Sequence, residues 1–242
     1  MNQVGKWMAA AMTTMFMAGL ACPVLAGDLT PPGAPGTTMH TLEEIYVLLQ
    51  DNSVVDGGGA NGQALVPKSG QIITYGMGDD GSLRKGVAWP VPRFTDNADG
   101  TVTDNLTGLI WLKNANCYGA QTWANALSSA NTLNSGECGL SDDSSAGDWR
   151  MPHWKELYSL VDVQYWVPAL SNAEGTGHLF EGDPFIEVQW GAFGSPIYYW
   201  SATTVVNDPG PSAWTVWFYT GSMGQSPKNS VNIHVWPVRG GQ

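Results

Sequence analysis

Two short blocks, far apart in the chain, constrain its fold more than anything else in its 242 residues. The first, Asp148-Trp149-Arg150-Met151-Pro152-His153-Trp154-Lys155-Glu156-Leu157, leads from a polar stretch into an amphipathic pattern. The second, Val235-Trp236-Pro237-Val238-Arg239-Gly240, closes the chain. A proline is tolerated in the first turn of a helix, where its missing N–H would have no intrahelical acceptor anyway. A helix is therefore expected from Pro152, with Trp154, Leu157, Tyr158 and Val161 facing inward. Arg150, Glu156 and Arg239 lie beside apolar segments, where an unpaired charge is costly. They are expected to form internal ion pairs or backbone hydrogen bonds rather than to catalyse.

Around these blocks the pattern is that of a mixed fold. Strand signals open at Gln71-Ile72-Ile73-Thr74-Tyr75 and at Val87-Ala88-Trp89, the latter confined to a sheet edge by Pro90 and Pro92. Residues 94–112 read as a meander turning at Asp99-Gly100 and Leu106-Thr107-Gly108. A helix follows from Thr122, its cap, with Trp123, Ala126, Leu127, Ala130 and Leu133 on one face. Residues 162–197 hold no sustained period and read as a long irregular loop. Strands are expected at 198–204, 213–219 and 232–238. In the middle one Trp214, Val216 and Phe218 alternate with Thr215, Trp217 and Tyr219, so both faces carry aromatics. Periodicity alone gives an α+β fold with an antiparallel sheet.

The N-terminal side is organised differently. Residues 1–26 carry Lys6 and no acid, an apolar run from Trp7 to Leu20, and Val24-Leu25-Ala26 before Gly27, the pattern of a secretory signal peptide. The run is shorter than the roughly 20 residues of a membrane span, so an exported chain without membrane insertion is expected, either extracellular, at the cell surface or periplasmic. A lipid anchor at Cys22 is the weaker alternative, because Gly19 stands where such signals usually carry Leu. Residues 27–38 form a Pro/Gly linker, 39–51 a short amphipathic helix with a Thr41…Glu44 capping box, and 52–70 a flexible joint before the domain at 71–242. The stripe Leu42, Ile45, Leu48, Leu49 is too short to stand alone in water. It packs either on its own domain or on copies of itself, for example in a trimer.

Charge and cysteines narrow the function classes. The formal charge is −11, and losing Lys6 with the leader makes it −12. Such a surface repels nucleic acid and anionic lipid. Without Cys22 only Cys117 and Cys138 remain, in a compartment where thiols oxidise, and one disulfide is expected. Closing a loop of about 20 residues stabilises a fold by roughly 3 kcal/mol through chain entropy. Two isolated cysteines without further ligands make a poor zinc site.

Four blocks together, Arg93-Phe94-Thr95-Asp96-Asn97-Ala98-Asp99-Gly100-Thr101-Val102-Thr103-Asp104, the helix-entry block, Tyr199-Trp200-Ser201-Ala202-Thr203-Thr204 and the closing block, resemble the bacterial DUF1566 family, which is similar to the C-terminal domain of the Legionella collagen-like adhesin. The order of elements also looks like the C-type lectin fold, and Arg150-Met151-Pro152 is similar to the helix entry of formylglycine-generating proteins. The resemblance implies a C-type-lectin-like domain in an adhesion role. The Trp-Asn-Asp, Glu-Pro-Asn and Gln-Pro-Asp strings of calcium-dependent lectins are absent from the sequence, which places that mode of sugar binding in doubt.

The candidate sites follow. Asp96-Asn97-Ala98-Asp99-Gly100 fits a hairpin turn better than a calcium loop, since an EF-hand aligned on Gly100 would need acids at Thr95 and Leu106. Ser141-Asp142-Asp143-Ser144-Ser145 reads as a solvated loop before it reads as a cation site. No cofactor is therefore expected, with calcium the one to test. His40, His153, His178 and His234 show no spacing with Ser, Cys or Glu that would build a relay or a metal site, so no enzyme is expected. Aromatic rings stack on sugars and on apolar side chains, which makes Trp166, Trp190, Trp217 and Trp236 the ligand-binding candidates. Core packing competes for each, because most of 12 tryptophans must be core. The expected role is a binding or adhesion module for a glycan or protein partner, at the loop 162–197 and the late strands beside it. The alternative is a structural subunit of an extracellular assembly.

Overall fold

The computed structural model describes residues 66–180, 183–206 and 211–240. The expected leader, linker, helix at 39–51 with its trimer, and residues 52–65 of the joint lie outside these. Among the described residues, a one-turn helix α1 (Asp80–Leu83) precedes a first sheet whose strands β1 (Phe94–Asp96), β2 (Thr101–Asp104) and β3 (Ile110–Leu112) form the expected meander. The hairpin needs a left-handed residue where it closes. Gly100 supplies it, at φ +87, and a Cβ there would come within 2.4 Å of the Gly139 carbonyl.

The chain then runs through β4 (Ala120–Gln121) into α2 (Trp123–Thr132), capped by the Thr122 side chain, and α3 (Trp154–Ser159). Next come the small hairpin β5 (Gly191–Ala192) and β6 (Ser195–Pro196), and the strands β7 (Tyr198–Thr204), β8 (Ser212–Trp217), β9 (Ser222–Pro227), β10 (Ile233–His234) and β11 (Val238–Arg239). The second sheet has the order β4-β10-β7-β8-β9. β11 crosses to the first sheet and pairs with β3. The fold is α+β and mostly antiparallel, but β10 runs parallel to β7, which corrects the purely antiparallel expectation.

The two opening blocks meet. The Arg150 N–H donates to the Val238 carbonyl and the Val238 N–H to the Arg150 carbonyl, each at 2.9 Å, so the helix entry and the chain end form one bridge. Around it lies the main core, with Trp149 buried in it and Trp111, Trp236, Phe185, Tyr199 and Phe218 packed edge to face or tilted. A second cluster, including Ala126, Ala130, Met151, Trp200 and Ile233, seats α2 on the second sheet. Its small alanines let the helix approach closely.

Several local expectations change. α3 starts two residues after Pro152, because the Pro152 carbonyl accepts from the Ala202 N–H at 2.8 Å and holds residues 151–152 extended. His153 is the cap: its ring accepts from the Glu156 N–H, and the Glu156 carboxylate accepts from the His153 N–H. Tyr158 is exposed rather than inward. Residues 71–75 form no strand. The N–H groups of Ile72 and Ile73 donate to the Gln164 side chain and that of Tyr75 to Asp79, so the backbone is satisfied without a ladder. Val87 makes only one bridge, to Pro67. Strand β9, Ser-Met-Gly-Gln-Ser-Pro, carries no β-branched residue and is missed from sequence; its six-residue register with β8 creates it.

Cys117 and Cys138 are bonded, with Cα atoms 5.6 Å apart, and fasten the chain before β4 to the loop after α2. The acidic stretch at 141–145 is a loop with Ser141, Asp143 and Ser145 exposed as expected, but two of its side chains turn inward. The Asp142 side chain is fully buried, 3.0 Å from the Arg239 guanidinium, and accepts from Ser144, whose hydroxyl accepts in turn from the indole of Trp149. Arg239 therefore closes this loop against the chain end and takes no part in the Arg150–Glu156 pair. No described helix is long and apolar enough to cross a membrane.

Candidate functional site

Five side chains converge on one surface beside β8: Trp166, Phe193, Tyr198, Trp217 and Tyr219. Trp217 ends β8 and Tyr219 lies in the turn that follows it, closed by the Gly221 N–H donating to the Trp217 carbonyl at 2.9 Å. Their rings lie 5.1 Å apart and within 19° of parallel. Phe193, at the tip of the β5–β6 hairpin, stands edge-on to both, at 5.5 Å and 4.9 Å. Trp166 meets Tyr219 at 6.2 Å, and Tyr198 on β7 meets Trp217 at 5.9 Å. Phe193 and Trp166 are 67% and 62% exposed; the other three are half-buried. The cluster therefore offers ring faces to solvent on a platform that is itself packed.

Backbone bonds hold the loop to the strand. The Val167 N–H donates to the Tyr219 carbonyl at 2.7 Å and the Ala169 N–H to the Phe218 carbonyl at 2.6 Å. The indole of Trp217 donates to the Trp190 carbonyl, and the Gln189 N–H to the Tyr199 hydroxyl at 2.7 Å. Residues 188–206 and 211–227 contain no charged side chain, so the patch is neutral in a chain of charge −11.

Of the four candidate tryptophans, Trp166 and Trp217 belong to this surface. Trp190 is half-buried against the core and contributes its carbonyl. Trp236 is corrected: it is fully buried, donates to the Leu112 carbonyl at 2.8 Å and touches Trp111, Phe185, Tyr199 and Phe218. It cannot reach a ligand. Of the other loop aromatics Phe185 is core, while Phe180 is exposed beside His178. Tyr198 and Tyr219 go unnamed as ligand candidates in the sequence; Tyr219 reaches Trp217 from the turn after β8, which strand alternation does not describe.

Arg150 and Glu156, the charges expected to pair internally, do so. Arg150 grips Glu156 with two nitrogens at 2.7 and 2.6 Å and reaches the Gly240 carbonyl at 2.9 Å. Burial would raise the Glu156 carboxyl, but hydrogen bonds from Arg150 and the His153 amide hold it below its ordinary value. A second pair was not anticipated: Arg93 and Asp104 are both fully buried and joined by two bonds, 2.9 and 3.0 Å long. Both residues end the first family block, and the register Phe94↔Asp104 makes them neighbours across the hairpin. Among the described residues no group of three His, Cys, Asp or Glu could hold a metal ion.

Asp162, 2% exposed, is the acid with an unusual charge state. Burial pushes its carboxyl up to about 6, against opposing contributions from the Gln164 N–H, Arg93 and His178. A carboxyl raised on folding favours the native state while protonated, and this contribution is lost as pH rises from about 4 through about 6. Asp162→Asn is therefore expected to stabilise the protein at pH 7.5, by about 1–3 kcal/mol. The gain should vanish near pH 3.5, where both states are protonated. Urea unfolding at the two pH values measures this; a loss of stability at pH 7.5 would contradict it.

No curated protein and no solved structure matches this chain. The family model described as the Lcl C-terminal domain matches residues 100–239, more than half of the chain and nearly the span the four sequence blocks mark out, and the protein belongs to that family.

Proposed function

We propose that this protein is an exported adhesion or binding module that holds a neutral glycan against the patch formed by Trp166, Phe193, Tyr198, Trp217 and Tyr219, without catalysis. The exposed, uncharged aromatic surface carries this reading. Exposed rings on a rigid strand-and-hairpin frame lose little conformational freedom on binding, and ring faces complement the C–H faces of sugars. Lcl-type membership supports an extracellular, adhesin-related role. The meander, two helices, long loop and terminal strand that returns to the first sheet support a C-type-lectin-like domain. The alternative of a structural subunit rests on the helix at 39–51, outside the described residues.

Screening against immobilised glycans, followed by titration of the best neutral oligosaccharide, tests the reading. Phe193→Ala and Trp217→Ala should each weaken binding about tenfold or more, roughly 1.4 kcal/mol. Phe193→Ala should change the unfolding free energy by less than about 0.5 kcal/mol, as expected for an exposed side chain. Affinity should hold between low and high salt, since no charge is engaged. Glycan binding that survives both substitutions would place the site elsewhere, and a protein ligand lost on the same substitutions would reassign the partner.

A further inference from the structure

A groove of about 520 Å³ lies between residues 66–69 and α3, and it shares no residue with the aromatic patch. That volume is within the range of about 300–1,000 Å³ typical of small-molecule sites. Trp89, Leu106, Trp154 and Val163 give it apolar walls, while Lys68 and Lys155 also line it. We propose that this groove binds a medium-chain carboxylate, its tail against the apolar walls and its charge between Lys68 and Lys155.

The charge pattern carries the assignment. The sequence has 21 acidic and only 10 basic residues, so cations are scarce in it. Arg93, Lys113, Arg150 and Arg239 are each paired with a carboxylate. Arg84 is held by backbone carbonyls, and Lys228 by the Thr204 hydroxyl and the face of Trp123. Of the remaining cations among the described residues, Lys68, Lys85 and Lys155, none has a carboxylate partner, and two, Lys68 and Lys155, line this one groove. The Lys155 amine lies 5.6 Å from the ring centre of Trp154, a groove wall.

The nearby acids are already engaged. Glu156 is held by Arg150, Asp80 accepts from the Ser69 hydroxyl, and the Asp162 carboxylate lies behind Gly70, with Arg93 opposing its burial. An apolar body with a single anionic head complements this arrangement, because each end then meets its own kind of surface. A neutral lipid leaves the two ammonium groups unused.

Calorimetric titration of the full exported chain with sodium decanoate, kept below its micelle concentration, and with 1-decanol tests the assignment. Saturable one-to-one decanoate binding is expected, with decanol at least tenfold weaker. The Lys68→Gln/Lys155→Gln double variant should bring decanoate down to the decanol level, and Val163→Trp, filling the groove from an exposed position, should abolish both. Phe193→Ala should leave decanoate binding unchanged, which separates this site from the glycan surface. No binding, equal binding of decanol, or decanoate affinity unaffected by the double variant or by Val163→Trp would each overturn the proposal. Circular dichroism of each variant confirms that it is folded.

Discussion

Asp104→Ala is expected to lower the unfolding free energy by about 3–5 kcal/mol, because it leaves the guanidinium of Arg93 charged and without its partner in the interior. Arg93 is fully buried between the rings of Trp89 and Phe94, 4.2 and 4.6 Å from their centres. Apart from Asp104, it donates to the Ser159 carbonyl at 2.9 Å, and its Nη1 has no acceptor. The same substitution removes acceptors for the Leu106 N–H and the Thr107 hydroxyl. The contrast is Asp96, whose bond to Lys113 is solvent-exposed. There, Asp96→Ala should cost less than about 1 kcal/mol, since water and salt screen the pair. Equilibrium urea unfolding of both variants decides the matter; equal costs would show that burial does not set the value of these pairs.

Trp236→Ala should cost about 3–5 kcal/mol, through the buried ring area removed and the cavity left behind. Its ring is the hub of the core, within 6 Å of four other aromatic rings. Its indole bond also fixes the chain end against β3. Trp166→Ala, by contrast, removes a ring that is 62% exposed and should change stability by less than about 1 kcal/mol. The two tryptophans look alike as sequence. If thermal unfolding found the costs equal, the division between core and binding surface drawn here would fail.

Elements that rest on local chemistry were legible. Thr122 marks the start of α2 because its hydroxyl can accept a free helix N–H, and the Asp99-Gly100 turn is set by a backbone angle that glycine tolerates. The disulfide was expected from the reading of residues 1–26 as a leader, which leaves two cysteines in an oxidising compartment, and the bond is present. The candidate site was half legible: the loop at 162–197 and the late strands do meet, yet Trp236 was misassigned. A strand with aromatics on both faces does not say which face water reaches. That depends on the layer packed against it, and here Phe185 and Trp111 cover Trp236 while Trp217 and Tyr219 keep an open side.

By itself the sequence determined the family blocks, the Thr122 cap and the Asp99-Gly100 turn, the acidic net charge, and the pairing of Cys117 with Cys138. These depend on residues near one another in the chain or on counts that need no geometry. Only the tertiary structure decided that Arg150 bridges to Val238, that Arg93 and Asp104 are buried, that Asp142 is held by Arg239, and which aromatics form a surface. The reason is physical: burial and pairing depend on what packs against a residue across long stretches of chain, and one side chain is core or surface according to neighbours that its own segment does not specify.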